Sequence, residues 1–484
     1  MRNLRILLAL TFTIAATHLL ADDWPQWRGI NRDGKSAETG LLKSWPTEGP
    51  KLLRTIPDIG IGWSSPSVVG GKIYITGMIN SNLQVFCFGE DGKKLWSKEV
   101  GPEFTANFPG ARATPTVDKG RVFVLSGVGR LTALDAATGN EVWKVEFSDR
   151  FKASSAKHGY AEAVLVDGDR VICTPGGAGG AFAALNRQNG ETVWVSKGLN
   201  AGAAYCSPIV FEVGGVRQYA NTIGGGLFGV RADTGAPLWS YKRPAHYRST
   251  STAVFSNGCV FAANNEAGGG AAKIEIANGV AKATQVWETK AMDCEVGGYI
   301  LADGYLYGNN GNGWACLDFA TGNVKWKSKS KDPPGVGKGS IIYADGMLYT
   351  FCQDGIMGLA EATPTDYKPV SSFRLPVTAA TPAVATPPAT PSATPTNKPG
   401  PATTPNAKPG AAAAPPAKPG AAKDAAKPAP AKDKDAAGGA PKNFEAIAMA
   451  ESVGHDAWAI PVISGGKLFL RKGDKLFVYS IKKM

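Results

Sequence analysis

The feature that most constrains this fold is a repeated spacing of glycine and tryptophan. A glycine precedes a tryptophan by four positions at five places, each time after apolar runs and a short glycine-rich turn. Self-similarity of this kind is the signature of a repeat architecture, and chance is not a credible origin for it. The pairs are Gly92 and Trp96, Gly139 and Trp143, Gly190 and Trp194, Gly235 and Trp239, and Gly322 and Trp326.

The spacing has a physical cause in turn chemistry and packing. A hairpin such as Asp135 to Gly139 places glycine where the backbone needs a positive φ. The next strand then presents a tryptophan at a fixed height, where its ring fills the wedge between neighbouring sheets. Such burial contributes a few kcal/mol per sheet, at roughly 25 cal/mol per Å². We therefore interpret these tryptophans as structural residues: Trp96, Trp143, Trp194, Trp239, Trp287 and Trp326.

Units of about 40 to 50 residues with four short strands each predict a β-propeller. Seven units reach residue 375, and the seventh lacks the tryptophan, so we expect Tyr367 or Phe373 to replace it. The C-terminal piece supplies only three strands. We predict that residues 51–56 add the fourth, with Leu53 in the tryptophan position. The expected fold is all-β: an eight-bladed propeller of four-stranded antiparallel blades, closed by an N-terminal strand that removes the open edges.

The chain divides into five predicted segments. Arg2 and Arg5 precede an apolar run that is too short to span a bilayer, as in a secretory signal peptide. We therefore expect a periplasmic or secreted protein, with no membrane span after signal removal. The segments are a signal peptide (1–21), an N-terminal extension (22–48), the closing strand with blades one to seven (49–375), a disordered insertion (376–443) and blade eight (444–484).

The insertion and the net charge argue against a nucleic-acid partner. The formal net charge is +12, but the signal's two arginines and the insertion's eight lysines against three aspartates supply much of it. Recognition of nucleic acid needs a basic face rather than a basic tail. The insertion is rich in alanine, proline and lysine, and it cannot bury enough apolar surface to offset its ordering entropy. We interpret it as a spacer.

Two motifs carry a resemblance to a known family. The segment ALDAATGNEVW at 133–143 resembles the blade signature of the PQQ-like (quinoprotein-type) propellers, and DWPQWRGINRDG at 23–34 resembles the opening of an exported bacterial subgroup. The family includes quinoprotein alcohol and sugar dehydrogenases, and also the propeller lipoprotein of the outer-membrane assembly machinery. The alcohol dehydrogenases hold PQQ against an adjacent-cysteine disulfide with calcium nearby, whereas this chain has no adjacent cysteines.

The loops between blades supply the candidate site. In a propeller these loops and those between second and third strands share one face, where ligands gather near the axis. We expect Arg112, Arg248 and Lys338 to contact an anionic group, and one histidine to act as a base. The alternative is that these residues hydrogen-bond across the face and close it. The ligand-binding candidates are Arg112, His158, Tyr160, Glu162, Tyr205, His246, Arg248, Glu295, Lys338, His455 and Trp458.

Metal binding is the less favoured interpretation of two polar loops. Asn264, Asn265 and Glu266 form one of them, and the other contains three asparagines in residues 309–312. Oxygen ligands of this type suit calcium, but asparagine and glycine also populate tight turns for conformational reasons. The turn interpretation is favoured, and no metal site or catalytic residue is assigned.

Together these observations favour an exported propeller that acts as a binding or scaffold module in the cell envelope. Its expected partner is an envelope protein or a small polar ligand at the loop-rich face, and a monomer is expected. The first alternative is a PQQ-dependent alcohol or sugar dehydrogenase, with PQQ and calcium as cofactors. The second is a polysaccharide-binding accessory protein.

Overall fold

The computed structural model describes residues 23–153, 155–243, 250–264, 267–294, 296–328, 335–376 and 457–483. Within those ranges the chain is almost entirely β-structure, and its one α-helix is α1 (Phe147–Phe151). The described strands form eight sheets, each with four consecutive antiparallel members that follow the chain, except where the two termini join. The predicted eight-bladed β-propeller is confirmed.

The strands of each blade run from the axis outward in chain order. Blade one consists of β3 (Ser67–Val69), β4 (Lys72–Ile79), β5 (Asn82–Phe88) and β6 (Lys94–Pro102), and blade two of β7 (Thr116–Asp118), β8 (Arg121–Leu125), β9 (Arg130–Asp135) and β10 (Glu141–Glu146). Blade three consists of β11 (Leu165–Asp167), β12 (Arg170–Cys173), β13 (Ala183–Asn186) and β14 (Thr192–Val195). Blade four consists of β15 (Ile209–Val213), β16 (Val216–Ile223), β17 (Gly226–Arg231) and β18 (Pro237–Lys242).

The remaining blades complete the ring. Blade five consists of β19 (Val254–Ser256), β20 (Cys259–Asn264), β21 (Gly268–Ala277) and β22 (Val280–Thr289), and blade six of β23 (Tyr299–Ala302), β24 (Tyr305–Asn309), β25 (Trp314–Asp318) and β26 (Val324–Lys327). Blade seven consists of β27 (Gly339–Ala344), β28 (Met347–Cys352), β29 (Ile356–Glu361) and β30 (Pro369–Arg374). A fifth strand, β1 (Lys35–Ser36), pairs in parallel with β27. Blade eight is β31 (Val462–Ser464), β32 (Lys467–Lys472), β33 (Lys475–Ser480) and β2 (Leu52–Ile56).

The N-terminal strand closes blade eight as predicted, but its register differs from the prediction. Strand β2 pairs antiparallel with β33 through Leu52 and Tyr479, then skips to Arg54 and Val478 at a β-bulge. Counted from the preceding glycine, this bulge lies one residue later than in the other blades: Leu53 is four residues after Gly49, whereas Val142 is three after Gly139. Leu53 therefore turns outward and is 36% exposed. The prediction that Leu53 takes the tryptophan position is therefore wrong; Arg54 takes it.

The tryptophans join each blade to the next. A Cβ built on Gly139 would lie 2.6 Å from the ring of Trp96, so only glycine lets this turn lie flat on the indole. The Trp96 Nε1 donates a hydrogen bond to the carbonyl of Ala136 in the same turn, at 3.2 Å. Trp143 repeats both contacts with Gly190 and Arg187 of blade three. The repeated spacing thus records a contact between blades.

Blade seven replaces its missing tryptophan with two aromatic rings. Phe373 is 3% exposed and lies against Gly49, as predicted for a substitute residue. Trp45 of the N-terminal extension packs edge-on against Phe373 with ring centroids 5.4 Å apart. Tyr367, the other predicted substitute, instead packs on Trp326 of blade six at 5.5 Å. An indole from outside the repeat therefore completes this wedge.

Residues 23–42, here called the axial segment, run through the centre of the ring. They contact the first strand, the residues just before it, or the closing end of every blade in the described part of the chain. The blade partners, from one to eight, are Val68 for Trp24, Val117 for Pro25, Val164 and Pro208 for Arg32, Thr252 for Trp27, Tyr299 for Arg28, Tyr343 for Gly34 and Ile481 for Leu42.

Two buried arginines hold the axial segment in place. Arg28 and Arg32 are 1% and 3% exposed, and both have positive φ. Arg32 Nη1 donates to the carbonyls of Ala163 at 3.0 Å and Pro208 at 2.9 Å. Burial lowers the pKa of the Arg32 guanidinium to about 9. These bonds satisfy backbone acceptors that face the axis, because no other strand can pair with them there.

The axial segment leaves one face of the ring open for other contacts. It enters beside the first turn of blade one, where the Gly70 N–H donates to the Asp23 carboxylate at 3.0 Å. It leaves alongside β1 and Ile481 at the same face, here called the turn face. The opposite face carries the segments between blades and is called the loop face. The segments that contain the candidate side chains therefore lie on the loop face.

Candidate functional site

Segments that lead into the first strands bring a set of aromatic side chains together on the loop face. Trp63, Arg112, Tyr205 and Trp458 each lie four residues before the first strand of their blade. Equivalent positions in different repeats lie at the same height and the same distance from the axis, so these side chains lie on one part of the loop face. The loop-face cluster comprises these four residues with Phe104, Phe108 and His158.

Ring contacts run through the cluster from blade eight to blade four. Trp458 lies 5.4 Å from Trp63 and 5.7 Å from Phe108, measured between ring centroids. Phe108 then meets His158 edge-on at 5.7 Å, and His158 lies 6.1 Å from Tyr205. The Tyr205 hydroxyl also accepts a hydrogen bond from the His158 backbone N–H at 3.1 Å. Phe108 is the most exposed member, at 43%.

Arg112 holds the loop that presents Phe108. Its guanidinium lies 5.4 Å from the Trp63 ring and 5.1 Å from the Phe104 ring, within the range of cation–π contact. Its Nη atoms donate to the carbonyls of Gly110 at 2.9 Å, Asn107 at 3.0 Å and Phe108. Burial lowers the pKa of Arg112 to about 10, which leaves it protonated at neutral pH. The predicted contact of Arg112 with an anionic group stays a prediction.

A buried carboxyl supports the same loop from behind. Glu103 is 3% exposed, and its Oε1 accepts hydrogen bonds from the backbone N–H groups of Phe104 and Gly127, both at 2.7 Å. Its Oε2 has no hydrogen-bond partner among the residues that the structure describes. Burial raises the pKa of Glu103 to about 7. Glu103 therefore ties the cluster to the turn between the second and third strands of blade two.

A family model described as outer membrane protein assembly factor BamB matches residues 81–328, just over half of the 484 residues. The chain belongs to this PQQ-like propeller family. The assignment agrees with the resemblance drawn from the blade signature at 133–143 and shows the family, not a particular activity.

Members of two kinds resemble the chain. The outer membrane protein assembly factor BamB of Shewanella oneidensis is 29% identical over 252 residues, which cover 48% of this chain and 60% of that protein. The quinohemoprotein alcohol dehydrogenase of Comamonas testosteroni is 25% identical over 195 residues, which cover 34% of this chain and 27% of the dehydrogenase. The chain thus spans 60% or less of either relative.

A solved structure of the PQQ-like propeller family confirms the architecture alone. The crystal structure of the Comamonas testosteroni quinohemoprotein alcohol dehydrogenase superposes with a TM-score of 0.55 at 15% identity, over 74% of each chain. In the described part of this chain, no helix has the length and apolar character needed to cross a membrane.

The residues of this family member do not fit the quinone site of the alcohol dehydrogenases. That site uses a disulfide between adjacent cysteines, whereas no disulfide joins any of the seven cysteines here, all of which lie within the described residues. The described ranges also contain no group of three or more histidine, cysteine, aspartate or glutamate side chains placed to hold a metal ion. We derive no step through PQQ or calcium.

The asparagine-rich loop of blade six has a conformational role. Asn309 Nδ2 donates to the carbonyl of Gly337 at 2.7 Å, and its Oδ1 accepts from the Gly311 N–H at 2.9 Å. Asn310 Oδ1 accepts from the Asn312 N–H at 3.2 Å. These contacts shape the turn, in agreement with the favoured interpretation. Asn265 and Glu266 lie outside the described residues.

Two further candidates are buried below the loop face. The Tyr160 hydroxyl donates to the carbonyl of Pro175 at 2.8 Å. Glu162 is 1% exposed and accepts hydrogen bonds from Thr174 and Asn221. Burial raises the pKa of Glu162 to about 8. These two side chains face the interior of blades two to four, so they do not join the cluster.

The other candidates divide between one exposed residue and several that the structure does not describe. Lys338 is exposed directly before β27. His246, Arg248, Glu295 and His455 lie outside the described residues. The structure therefore brings Arg112, His158, Tyr205 and Trp458 together.

Sequence reasoning missed Trp63, Phe104 and Phe108. Trp63 shares the four-residue offset with Arg112, Tyr205 and Trp458, so a register count would have found it. Phe108 has no counterpart in other repeats, and its position depends on the hydrogen bonds from Arg112.

Proposed function

We propose that this chain is an exported propeller that binds a partner protein of the cell envelope on its loop face and so acts as a scaffold. The observation that carries the proposal is the loop-face cluster, with Phe108 projecting from it. Tryptophan, tyrosine and arginine dominate the residues that supply binding energy in protein interfaces. Phe108 lies among such residues, and the hydrogen bonds from Arg112 fix its loop. Several relatives in the family are named as outer membrane assembly factors, which supports a partner in the envelope.

The axial segment favours the loop face as the surface that a partner protein contacts. It occupies the axis from the turn face and uses its arginines on backbone carbonyls. Among the described residues of the loop face, the cluster joins the exposed Phe108 ring to other aromatic rings that a partner can contact. Val128, which is 44% exposed at the second turn of blade two, and Ile79, which is 36% exposed at that of blade one, extend this surface.

Photo-crosslinking at position 108 tests the proposal. The full-length chain is produced in its native envelope with p-benzoylphenylalanine in place of Phe108, and a matched protein carries it at Val280, which is 69% exposed at the outer hairpin of blade five. We expect one discrete protein adduct at position 108 and none of the same mass at 280. Adducts of equal pattern at both positions, or none at 108, would contradict the proposal.

A thermal-shift titration separates this function from the quinoprotein alternative. A ligand that binds only the folded state raises Tm by mass action. Since the cysteines and the described acidic groups do not form a quinone site, we expect PQQ with CaCl2 to leave Tm unchanged within about 1 °C. A ligand that did bind, at 100 times its Kd, would add about 2.7 kcal/mol to the free energy of unfolding and raise Tm clearly. A dose-dependent increase that requires both additives would instead favour the dehydrogenase.

A further inference from the structure

A cavity of about 350 Å³, here called the axial cavity, lies beside the axial segment on the side of the turn face. It is lined by residues 31–35 of the axial segment, by parts of the first strands of blades four, five and six, and by Asp303 and Gly304 of the first turn of blade six. Sites for small molecules are typically concave spaces of about 300 to 1,000 Å³. Because the axial cavity faces away from the loop-face cluster, its ligand is independent of the proposed envelope partner.

Three successive blades each contribute an apolar side chain to the axial cavity. These side chains are Val210, Val254 and Leu301. Phe255 is half-buried beside them, and its ring stacks on Phe211 with centroids 4.1 Å apart and 14° between the ring planes. Because this contact fixes the orientation of the Phe255 ring, the cavity has a preformed apolar wall. Such a wall suits the C–H face of a ring-shaped ligand.

The charged side chains that line the axial cavity balance one another. Arg32 and Lys35 are cations, and Asp33 and Asp303 are anions. The Lys35 Nζ lies 3.2 Å from the Asp33 Oδ2, and the Arg32 guanidinium donates to backbone carbonyls. An anionic ligand would therefore meet two carboxylates, and a cationic ligand would meet two cations. The lining of the cavity favours an uncharged ligand.

Three further polar groups of the axial cavity are left for a ligand. The carboxylate of Asp303, the amide of Asn31 and the hydroxyl of Ser256 make no hydrogen bond or ion pair with another side chain in the part of the chain that the structure describes. A carboxylate accepts hydrogen bonds, whereas an amide and a hydroxyl both donate and accept them. Since a sugar hydroxyl also does both, this set can bond several hydroxyls of one ligand.

We propose that the axial cavity binds one neutral pyranose unit of a saccharide. A pyranose has C–H faces that pack on the wall formed by Phe255 and Val210, and a rim of hydroxyls that donate to Asp303 and accept from Asn31. The volume of the cavity lies near the lower limit for small-molecule sites, so a single sugar ring is the expected occupant.

Saturation-transfer difference NMR on the full chain tests this with sugars that differ in charge. The neutral probes are the methyl glycosides of glucose, galactose, mannose and N-acetylglucosamine. The charged probes are the 2-amino and the uronic acid analogues of the same sugars. We expect at least one neutral glycoside to bind with a Kd in the millimolar range. Its charged analogues should bind at least about tenfold more weakly.

Substitutions at exposed positions locate the binding. Asp303→Asn retains the side-chain shape, and asparagine tolerates the φ of 50° at this turn. It should weaken binding of the neutral glycoside about five- to tenfold, because charge-assisted hydrogen bonds become neutral ones. Asn31→Ala should weaken binding about three- to tenfold through the loss of a donor and an acceptor.

Two control variants should bind the glycoside like the wild-type chain. Asp58→Asn changes an exposed aspartate with a φ of 58° that does not line the axial cavity. Phe108→Ala removes an aromatic ring from the loop-face cluster.

Saturation transfer to none of the four neutral glycosides would overturn the proposed saccharide site. Equal binding of neutral and charged probes, or equal losses in Asp303→Asn and Asp58→Asn, would do the same. A loss in Phe108→Ala without one in Asp303→Asn would place sugar binding on the loop-face rings and exclude the axial cavity. The crosslinking result at position 108 involves no sugar and tests the proposed function separately.

Discussion

Replacing Arg32 by alanine should lower the free energy of unfolding by about 3 to 5 kcal/mol. The guanidinium donates to the carbonyls of Ala163, Val164 and Pro208, and its Nε donates to the Gln26 side chain at 2.9 Å. A buried acceptor that loses its partner costs about 1 to 3 kcal/mol. Water entering the vacated space satisfies part of that set, which is why the expected loss is less than the full sum.

Chemical denaturation of the full chain measures this loss, with Arg231→Ala as the control. Arg231 pairs instead with the Asp233 carboxylate at 3.1 Å, and its side chain is 41% exposed on the turn face. Surface pairs of this type contribute no more than about 1 kcal/mol. If the two variants lost equal stability, the axial segment would not hold the ring together as described.

Raising the pH from 5 to 9 should lower the stability of the fold, and Glu162 should account for much of the loss. Its pKa is about 8 in the folded chain, raised by burial, and about 4.3 in an unfolded one. The folded state therefore binds the proton more tightly. The stability that this group contributes is fully present below the unfolded pKa and is lost as pH rises through the folded pKa.

The expected size follows from the shift. One pKa unit corresponds to 1.36 kcal/mol, so Glu162 accounts for a loss of about 4 kcal/mol between pH 5 and pH 9. Glu103, with a pKa raised to about 7, adds a smaller loss in the same direction. Arg32 opposes the change, since its positive charge favours ionised Glu162.

The Glu162→Gln variant tests the assignment because its neutral amide matches the protonated carboxyl in shape. Denaturation curves at pH 5, 7 and 9 should show a flatter pH dependence in this variant than in the wild-type chain, with greater stability than wild type at pH 9. The exposed Glu212→Gln provides the matched control and should keep the wild-type slope. An unchanged slope in Glu162→Gln would show that another group titrates.

The sequence predicted the features of the fold that repeat. The glycine before each tryptophan is needed because the next blade's turn lies on the preceding indole, as Gly139 does on Trp96. That contact recurs, so it leaves a periodic signal. The place of Leu53 was predicted wrongly because a bulge moved by one residue leaves no trace in spacing. Trp45 was not predicted to complete blade seven, because it belongs to no repeat.

The candidate site was predictable only in part for the same reason. Arg112, Tyr205 and Trp458 share one register before a first strand, so periodicity could place them together. Tyr160 and Glu162 lie five and three residues before β11, outside the four-residue register, and both side chains are buried. Phe108 depends on contacts that Arg112 makes with its own loop, and such a local arrangement has no signature in a single sequence.

Hydrogen–deuterium exchange of the full chain, with and without the envelope protein crosslinked at position 108, tests most directly whether the loop face is the working surface, rather than the turn face or the outer strands. We predict slower exchange in residues 103–112, 155–160 and 203–206, with no change at the turns around Gly70 and Gly139. Protection confined to those turns or to the outer strands, with the three loop segments unaffected, would contradict the claim.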